Sequence, residues 1–425
     1  MIVSILFLSI ILIILTGIPV GIGLGVVGLG FSLIFEGQSA LISLPQTIFS
    51  SNNSFLLTAI PMFILMSEIL RRANVTEILF DAVTKLVGHL PGGLAVSTVI
   101  TCAIGASITG SSVANAASMS IVAAPSMISR GYERKFTYGL IAASGTLGIL
   151  IPPSIPMLLY ASITEESIGK LFISGIVPGL LLVSLLCAYV ILKEKFFDNS
   201  DRKIEKASFG ARLNSLKKAL PALILPIIVV GGIYAGFFTP TEAAGVGVFF
   251  AFVLGFFWYR TLNLFDVIPI FKDSLHSTCM ILLLIAGSMV LGHAITTLQI
   301  SDQLVSMVSA YDVSKVIFII LIMILLFVLG CILEVISVIY IVLPVLYPIV
   351  MELGINSIWF AIIFIVNMEI ALITPPLGMN LYVIGGISKR PISEIMLGSV
   401  PFVIIFLFFL LLLILFPSIS TIFVR

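Results

Sequence analysis

Apolar runs of membrane-spanning length alternate with short polar intervals along the whole chain. An α-helix needs about 20 apolar residues to cross a hydrocarbon layer about 30 Å thick. The first half contains five runs that predict crossings, at 2–19, 22–36, 55–70, 136–163 and 171–193. Between the third and the fourth, the amphipathic stretch 71–90 is predicted to lie along the membrane surface.

The segment 93–128 is predicted to be a re-entrant hairpin. It is long enough to cross once, but the small polar residues 109–112 interrupt its middle. Basic residues flank both ends, at 71–85 and at 130–135. Because positively charged flanks stay on the cytoplasmic side, the segment enters and leaves on the same side.

The following crossing, 136–163, is interrupted by Pro152 and Pro153. Two adjacent prolines remove backbone donors and clash with the preceding turn, so they cannot continue a helix. This crossing is therefore predicted to consist of two half-helices separated by a break.

The second half follows the same plan. It contains a predicted hairpin at 316–351, whose tip is formed by residues 330–337. Its predicted crossings are 219–236, 240–257, 276–298, a broken crossing at 356–386, and 395–417. Each half thus has five crossings and one hairpin.

Proline and glycine positions reveal an internal repeat. When residues 110–178 are moved forward by 223 positions they fall on 333–401 without a gap, and four of the five prolines meet prolines. Because proline and glycine mark helix breaks, the repeat preserves a pattern of broken helices. Five crossings per half place the second copy upside down relative to the first. The predicted fold is an all-α polytopic membrane protein, an inverted repeat of residues 1–218 and 219–425 with discontinuous helices.

Charge sets the predicted orientation. The interval 193–218 holds 8 of the 21 basic residues, so it is predicted to be a cytoplasmic loop, with both termini periplasmic. The first apolar run lacks a basic leader and a small-residue cleavage site, so it is interpreted as a membrane helix rather than a signal peptide.

Segments 2–70 and 219–298 are the expected scaffold helices of the two copies.

Composition agrees with this class and excludes others. The chain is 60% hydrophobic and 10% charged, whereas soluble domains carry about 25% charged residues. Four isolated cysteines suggest neither disulfides nor a metal site. The sequence lacks a phosphate-binding G-x-x-x-x-G-K-[ST] loop, which disfavours ATP-driven transport. It also lacks the paired residues of an intramembrane enzyme, so no catalytic residue is predicted.

Helix breaks supply the candidate chemistry. A helix that ends at a break leaves carbonyl groups free, and a helix that begins there leaves amides free. Carbonyl ends can hold a cation and amide ends can face an anion, which is how secondary transporters build coupled sites near the midplane. The neutral oxygens at both breaks suit Na⁺ better than a transition metal. Glu334 is the one acidic residue at either hairpin tip, while Glu68, Glu242 and Glu369 are further acidic candidates for the pathway.

The chain resembles the large membrane subunit of the tripartite ATP-independent periplasmic (TRAP) transporters. The matching motifs are G-x-S-x-T-G-S-S-x-A-N-A at 105–116, P-x-M-x-x-x-G-Y at 125–132, A-A-S-G-T-L-G-I-L-I-P-P-S at 142–154, G-C-x-L-E at 330–334 with the later Pro344, and N-x-E-x-x-x-x-T-P-P-x-G-x-N at 367–380. Each motif alone is weak evidence for this family. Together, in this order and over the full length, they are specific.

The resemblance implies an elevator-type importer in the bacterial inner membrane, in which the hairpins and broken helices carry solute and Na⁺ past a fixed scaffold. Its implied partners are a small four-helix membrane subunit on a separate chain and a periplasmic solute-binding protein. The implied solutes are small carboxylates, of the sialic acid or C4-dicarboxylate class. Helix amide ends near Ser112 and Ser154 would fit a carboxylate.

The site residues are carried over from the same resemblance. The implied Na⁺ ligands are Ser107, Ser111, Asn115, Gly145 and Pro153 in the first copy, and Gly330, Glu334, Thr374, Pro376 and Gly378 in the second. The implied solute-binding residues are Ser111, Ser112, Asn115, Ser154 and Asn380.

Two other functions remain open from the sequence. A stand-alone sodium–carboxylate symporter would transport without a binding protein. A passive channel would not require Na⁺ for every solute moved. Dependence of uptake on the binding protein and on a Na⁺ gradient distinguishes the three.

Overall fold

The structure is a computed structural model that describes residues 2–197, 204–310 and 314–424, and its regular elements within these ranges are helices. The α-helices of the first half are α1 (Ile2–Leu15), α2 (Val20–Glu36), α3 (Ala40–Asn52), α4 (Ala59–Arg72), α5 (Val75–Val87), α6 (Gly93–Thr109), α7 (Ser112–Ser129), α8 (Arg134–Thr146), α9 (Ile155–Thr164) and α10 (Ile168–Phe197). Those of the second half are α11 (Phe209–Tyr234), α12 (Pro240–Val253), α13 (Leu264–Thr297), α14 (Ile300–Ala310), α15 (Lys315–Gly330), α16 (Val335–Glu352), α17 (Ser357–Leu372), α18 (Met379–Ser388), α19 (Ile392–Leu415) and α20 (Ser418–Thr421).

Shorter helical turns extend several of these helices. A π-helical turn, Leu254–Trp258, extends α12. Three 3₁₀ turns occur at Gly37–Ser39, Phe55–Thr58 and Leu147–Ile149.

Seven helical segments of the described residues are long and apolar enough to cross a membrane. They are Val20–Ser50, Ile168–Phe196, Phe209–Tyr234, Pro240–Trp258, Leu264–Thr297, Val335–Glu352 and Ile392–Leu415. Large apolar side chains remain uncovered on them: Phe265 is 90% exposed and Ile227 69%. Such surfaces are costly in water and favourable in lipid, so the chain is a multi-pass membrane protein.

The two helix pairs α6–α7 and α15–α16 occupy the segments of the predicted hairpins. Gly110 separates α6 from the cap residue of α7, and a short turn separates α15 from α16. The broken crossings are the pairs α8–α9 and α17–α18, each interrupted by a Pro-Pro pair joined by a cis peptide bond. Helix bounds repeat as well: moving α7 forward by 223 residues gives the bounds of α16. The repeated breaks therefore belong to repeated helices, and the opposite orientation of the two copies stays a prediction.

Three segments differ from their predicted bounds. The interval 37–54 between two predicted crossings is largely helical, because the turn at Gly37–Ser39 continues α2 into α3. Helix α13 begins at Leu264 rather than 276, because Asn263 and Asp266 form a capping box there. Helices α10 and α11 extend from both sides into the predicted basic loop, and residues 198–203 of that loop lie outside the described residues.

Helix α2 packs along α13 at very short range. A Cβ atom on Gly28 would lie 2.6 Å from the backbone nitrogen of Leu291, and one on Gly21 would lie 2.7 Å from the carbonyl oxygen of Leu283. Small residues at such a contact let two membrane helices approach closely. Helix α13 also packs against α3, α4 and α16. It therefore connects the predicted scaffold segments to the second hairpin.

Candidate functional site

The first hairpin tip is a tight turn in which a serine hydroxyl caps the outgoing helix. Helix α6 ends at Thr109, and Gly110 has φ +59°, a left-handed conformation that glycine adopts without strain. Ser111 is the N-cap of α7: its backbone is extended and its Oγ accepts a hydrogen bond from the Ala114 amide at 3.4 Å. Ser112, the first residue of α7, is buried.

This tip packs directly on the break between α8 and α9. A Cβ atom on Gly110 would lie 2.8 Å from the Pro153 carbonyl oxygen, and one on Gly148 would lie 2.6 Å from that of Ser111. Ser154 caps α9, accepting from the Met157 amide at 3.4 Å and donating to the Ile149 carbonyl at 2.6 Å. Backbone carbonyls from the tip and the break therefore lie side by side.

Asn115 connects the two arms of the hairpin to the broken helix. Its side chain is buried, and Nδ2 donates to the carbonyl oxygens of Cys102 at 2.9 Å and Gly145 at 3.5 Å. Ser107 is half-buried, and its hydroxyl donates to the Ile104 carbonyl at 2.7 Å. The structure thus brings Ser111, Asn115, Gly145 and Pro153 into one region, and Ser107 lies in the same hairpin, two residues before the end of α6.

The second tip meets the second break in the same way. The Leu377 amide donates to the Cys331 carbonyl at 3.1 Å, and a Cβ atom on Gly330 would lie 2.7 Å from the Ala371 methyl group. Thr374 donates its hydroxyl to the Ile370 carbonyl at 2.6 Å, and Gly378 has φ +48° at the start of α18.

This second region is more open than the first. Pro376 is exposed, and Glu334 is half-buried at the N-cap position of α16 without capping it.

A cavity of about 430 Å³ lies between the two tips. Residues 109–114 and 334–337 form one side, so the amide ends of α7 and α16 both open onto it. Residues from α2, α4 and α13 also line it, and the start of α9 contributes Ile155 and Pro156. The cavity is therefore enclosed between the hairpins and the predicted scaffold segments.

The charged and titratable side chains at the cavity, apart from Glu334, belong to α4 and α13. Glu68 in α4 lines it and forms ion pairs with Arg71 and Arg72, and Arg72 also pairs with Asp273 of α13 at 3.0 Å. His276, three residues further along α13, lines the cavity too. Among the lining residues in the described part of the chain, His276 is the only one that can carry positive charge.

The structure separates Glu334 and the five implied solute-binding residues into two groups. Ser111, Ser112 and Glu334 line the cavity. Asn115, Ser154 and Asn380 lie behind its wall, where their side chains bond to backbone; Asn380 donates to the Ala142 carbonyl at 3.1 Å. These three hold the breaks in place in this conformation.

Sequence reasoning did not identify His276 or Ser67 as cavity residues. They come from helices that are far from the hairpins in the sequence, and no local motif includes them. Of the three further acidic candidates, Glu68 lines the cavity, Glu242 closes a capping box with Thr239, and Glu369 is fully buried.

The paired hairpins, the broken helices and their shared cavity define a multi-pass α-helical membrane transporter. The chain belongs to the family described as "Tripartite ATP-independent periplasmic transporter, DctM component", whose sequence pattern matches residues 7–419. It is a large permease subunit of a TRAP transporter, not an enzyme.

Several relatives support this assignment over nearly the whole chain. The chain is 37% identical to the C4-dicarboxylate TRAP transporter large permease protein of Pseudomonas aeruginosa, covering 93% of this chain and 92% of that protein. It is 32% identical to the sialic acid TRAP transporter large permease protein of Vibrio cholerae, covering 95% and 93%. An isethionate TRAP permease of Oleidesulfovibrio alaskensis, named DctMQ, is 32% identical, and 65% of its length is covered.

A solved structure shares the fold. The YdaH transporter of Alcanivorax borkumensis superposes with a TM-score of 0.61 at 16% sequence identity, covering 91% of this chain and 90% of that one. At this identity the likeness concerns the fold alone.

Proposed function

We propose that the chain is the solute-translocating subunit of a Na⁺-coupled importer for small carboxylates. The observation that carries the proposal is the cavity onto which the amide ends of α7 and α16 both open. Helix N-termini favour negative charge because their first amides lack partners and the helix dipole is positive there. A cavity with two such ends suits a small anion.

His276 supports the same solute class. It lines the same cavity as the hairpin tips, so a solute there could place one acidic group at a helix terminus and another polar group near the imidazole. The solutes named for three of the relatives, C4-dicarboxylates, sialic acid and isethionate, are acids, and the first two carry carboxylate groups. We infer the same chemistry for this chain, with C4-dicarboxylate and sialic acid as the classes to test first.

The coupling ion in this proposal is Na⁺. Carbonyl and hydroxyl oxygens crowd together where each tip meets its break, and hard oxygen ligands of this kind suit an alkali cation. One ion would bind between the first tip and the residues around Pro153, and another between Glu334 and the residues around Thr374 and Gly378. Na⁺ entry supplies about 2.3 kcal/mol per charge for each 100 mV of membrane potential, before any concentration gradient.

Movement would follow an elevator mechanism. The two hairpins and two broken helices pack on one another, while α2, α3, α4, α12 and α13 form a second group, of which α2, α4 and α13 line the cavity. We propose that the first group slides past the second and so exposes the cavity alternately to each side. The two copies would lie in opposite orientations, as expected for this mechanism.

The proposed assembly has two further proteins. A periplasmic binding protein would deliver the solute, and a small four-helix membrane subunit would complete the permease in the bacterial inner membrane. The DctMQ relative has one and a half times this chain's span, consistent with a fused second subunit in that protein. Both termini of this chain would face the periplasm.

Uptake into proteoliposomes tests the proposal. Vesicles containing this chain and the small subunit would receive succinate or sialic acid, each with its binding protein, with and without an inward Na⁺ gradient. We expect uptake that requires both the gradient and the binding protein. Uptake that needs Na⁺ but no binding protein would instead identify a stand-alone symporter, and equilibration without a gradient would identify a channel.

A further inference from the structure

Glu369 is a fully buried acid outside the cavity. It lies in α17, every residue of which is buried, and its own side chain is 0% exposed. Neither carboxyl oxygen has a hydrogen-bond partner, and no ion pair includes it among the described residues. An ionised carboxylate without a hydrogen-bond partner or counter-charge is strongly unfavourable in a protein interior.

The described helices around Glu369 do not supply a counter-charge. Helix α17 packs against α8, α9, α10, α15, α16, α18, α19 and α20. The charged side chains of these helices are Arg134 and Lys135 in α8, Lys170, Lys193, Glu194 and Lys195 in α10, Lys315 in α15, Glu352 in α16 and Glu394 in α19. None of them has an electrostatic interaction with Glu369 in the part of the chain that the structure describes. Arg134 and Lys135, for example, lie about 17 Å along α8 from Thr146, the residue beside Glu369.

Local hydrogen bonding also disfavours a negative charge. The Thr146 hydroxyl faces the Glu369 carboxyl, but it donates its single proton to the Ala143 carbonyl at 2.7 Å. Thr146 therefore offers Glu369 only lone pairs, which can accept a hydrogen bond from a carboxylic acid but repel a carboxylate. Glu369 also lies three residues before the end of α17, where the helix dipole is negative.

We propose that Glu369 is a proton-binding site whose carboxylic acid stays neutral throughout the transport cycle. Glu369 and Thr146 occupy the same position in the two copies, since they are 223 residues apart, so the acid lies where the copies meet. In the elevator mechanism proposed above, on which this step rests, the neutral acid travels with the moving helices. Its movement then adds no charge to the translocation step.

Infrared spectroscopy of the purified protein tests the protonation state without any transport. We expect a carbonyl stretching band of a protonated carboxylic acid at about pH 8, where exposed carboxyl groups are ionised. The band should disappear in Glu369→Gln and remain in Glu352→Gln, a matched change at an exposed acid. Absence of the band from the unaltered protein at this pH would overturn the proposal, whether or not the variant folds.

Transport assays separate this proposal from a direct role in ion binding. Because Gln is a neutral isostere of the protonated acid, Glu369→Gln should keep uptake within about twofold and leave the Na⁺ concentration for half-maximal uptake unchanged. If the Glu369→Gln protein folds but has lost Na⁺ activation, Glu369 is a cation ligand. That result would refute the proposal that Glu369 is a neutral acid. If the unaltered protein shows no Na⁺ dependence, the proposed function fails, while the infrared result still decides the protonation state.

Discussion

Single hydroxyl groups at the tip and break should tune Na⁺ affinity. Ser112 begins α7 at the cavity, and the Thr374 hydroxyl donates to Ile370, which leaves its lone pairs for a cation. Replacing either by alanine removes about 1–2 kcal/mol of ion binding, so the Na⁺ concentration for half-maximal uptake should rise about 5–30-fold.

Matched substitutions separate ion binding from folding. Ser120→Ala removes a buried hydroxyl of the same helix that bonds to its own backbone, so it should leave Na⁺ dependence unchanged. Thr374→Ser keeps the hydroxyl and should behave like the unaltered chain. Normal Na⁺ activation in both alanine variants would remove these residues from the ion sites.

His276 should contribute to solute affinity. It is the one lining residue, among those described, that can be positively charged. His276→Gln should therefore raise the KM for an anionic solute about fivefold, equivalent to about 1 kcal/mol, with kcat little changed. Lys272→Gln removes a positive charge from an exposed position of the same helix outside the cavity and is the control. An equal effect of both changes would indicate a general surface potential instead.

At the scale of helices, the contact between α2 and α13 depends on glycine. Valine at Gly28 would collide with the backbone of Leu291, which no rotamer change relieves, so Gly28→Val should cost about 3 kcal/mol or more. Gly30 lies two residues further along α2, and a Cβ atom there would have no neighbour within 4 Å, so Gly30→Val is the matched control. Thermal unfolding in detergent should show a lower midpoint for the first variant only; equal midpoints would contradict the close contact.

Sequence patterns predicted the helix breaks well because proline and glycine act locally. Pro152, Pro153 and Gly110 prevent a regular helix whatever surrounds them. The start of α13 was predicted twelve residues late, because polar residues such as Lys272 and Asp273 obscured a helix that continues beyond its most apolar part. Its capping box at Asn263 was visible in the sequence.

The cavity could be predicted only in part. Its hairpin side follows from motifs that are contiguous in the chain. Its scaffold side depends on how α4 and α13 pack against the tips, and His276 is more than 160 residues from Ser112. Contacts between residues so far apart in the sequence arise from tertiary packing. They produce no local sequence pattern from which the contact could be predicted.

At the scale of the whole molecule, the predicted inversion of the second copy can be tested by the accessibility of equivalent positions. Ser129 and Glu352 are exposed, they end α7 and α16, and they occupy equivalent positions of the two copies. In a chain whose four native cysteines are replaced, Ser129→Cys should react with an impermeant thiol reagent only from the cytoplasm. Glu352→Cys should react only from the periplasm, and both should react after permeabilisation. Labelling of both from one side would refute the inversion.

The two hairpin tips are equivalent in position but not in charge. Ser111 caps α7, whereas its counterpart 223 residues later is the acidic Glu334, and both border the same cavity. An ionised Glu334 repels an anionic solute until a cation neutralises it. In the Na⁺-coupled cycle proposed above, sodium would therefore bind first at the acidic tip, the solute would follow, and a carrier without sodium would return empty. Under that proposal, one side-chain difference between two repeated turns would prevent the solute from leaking back out.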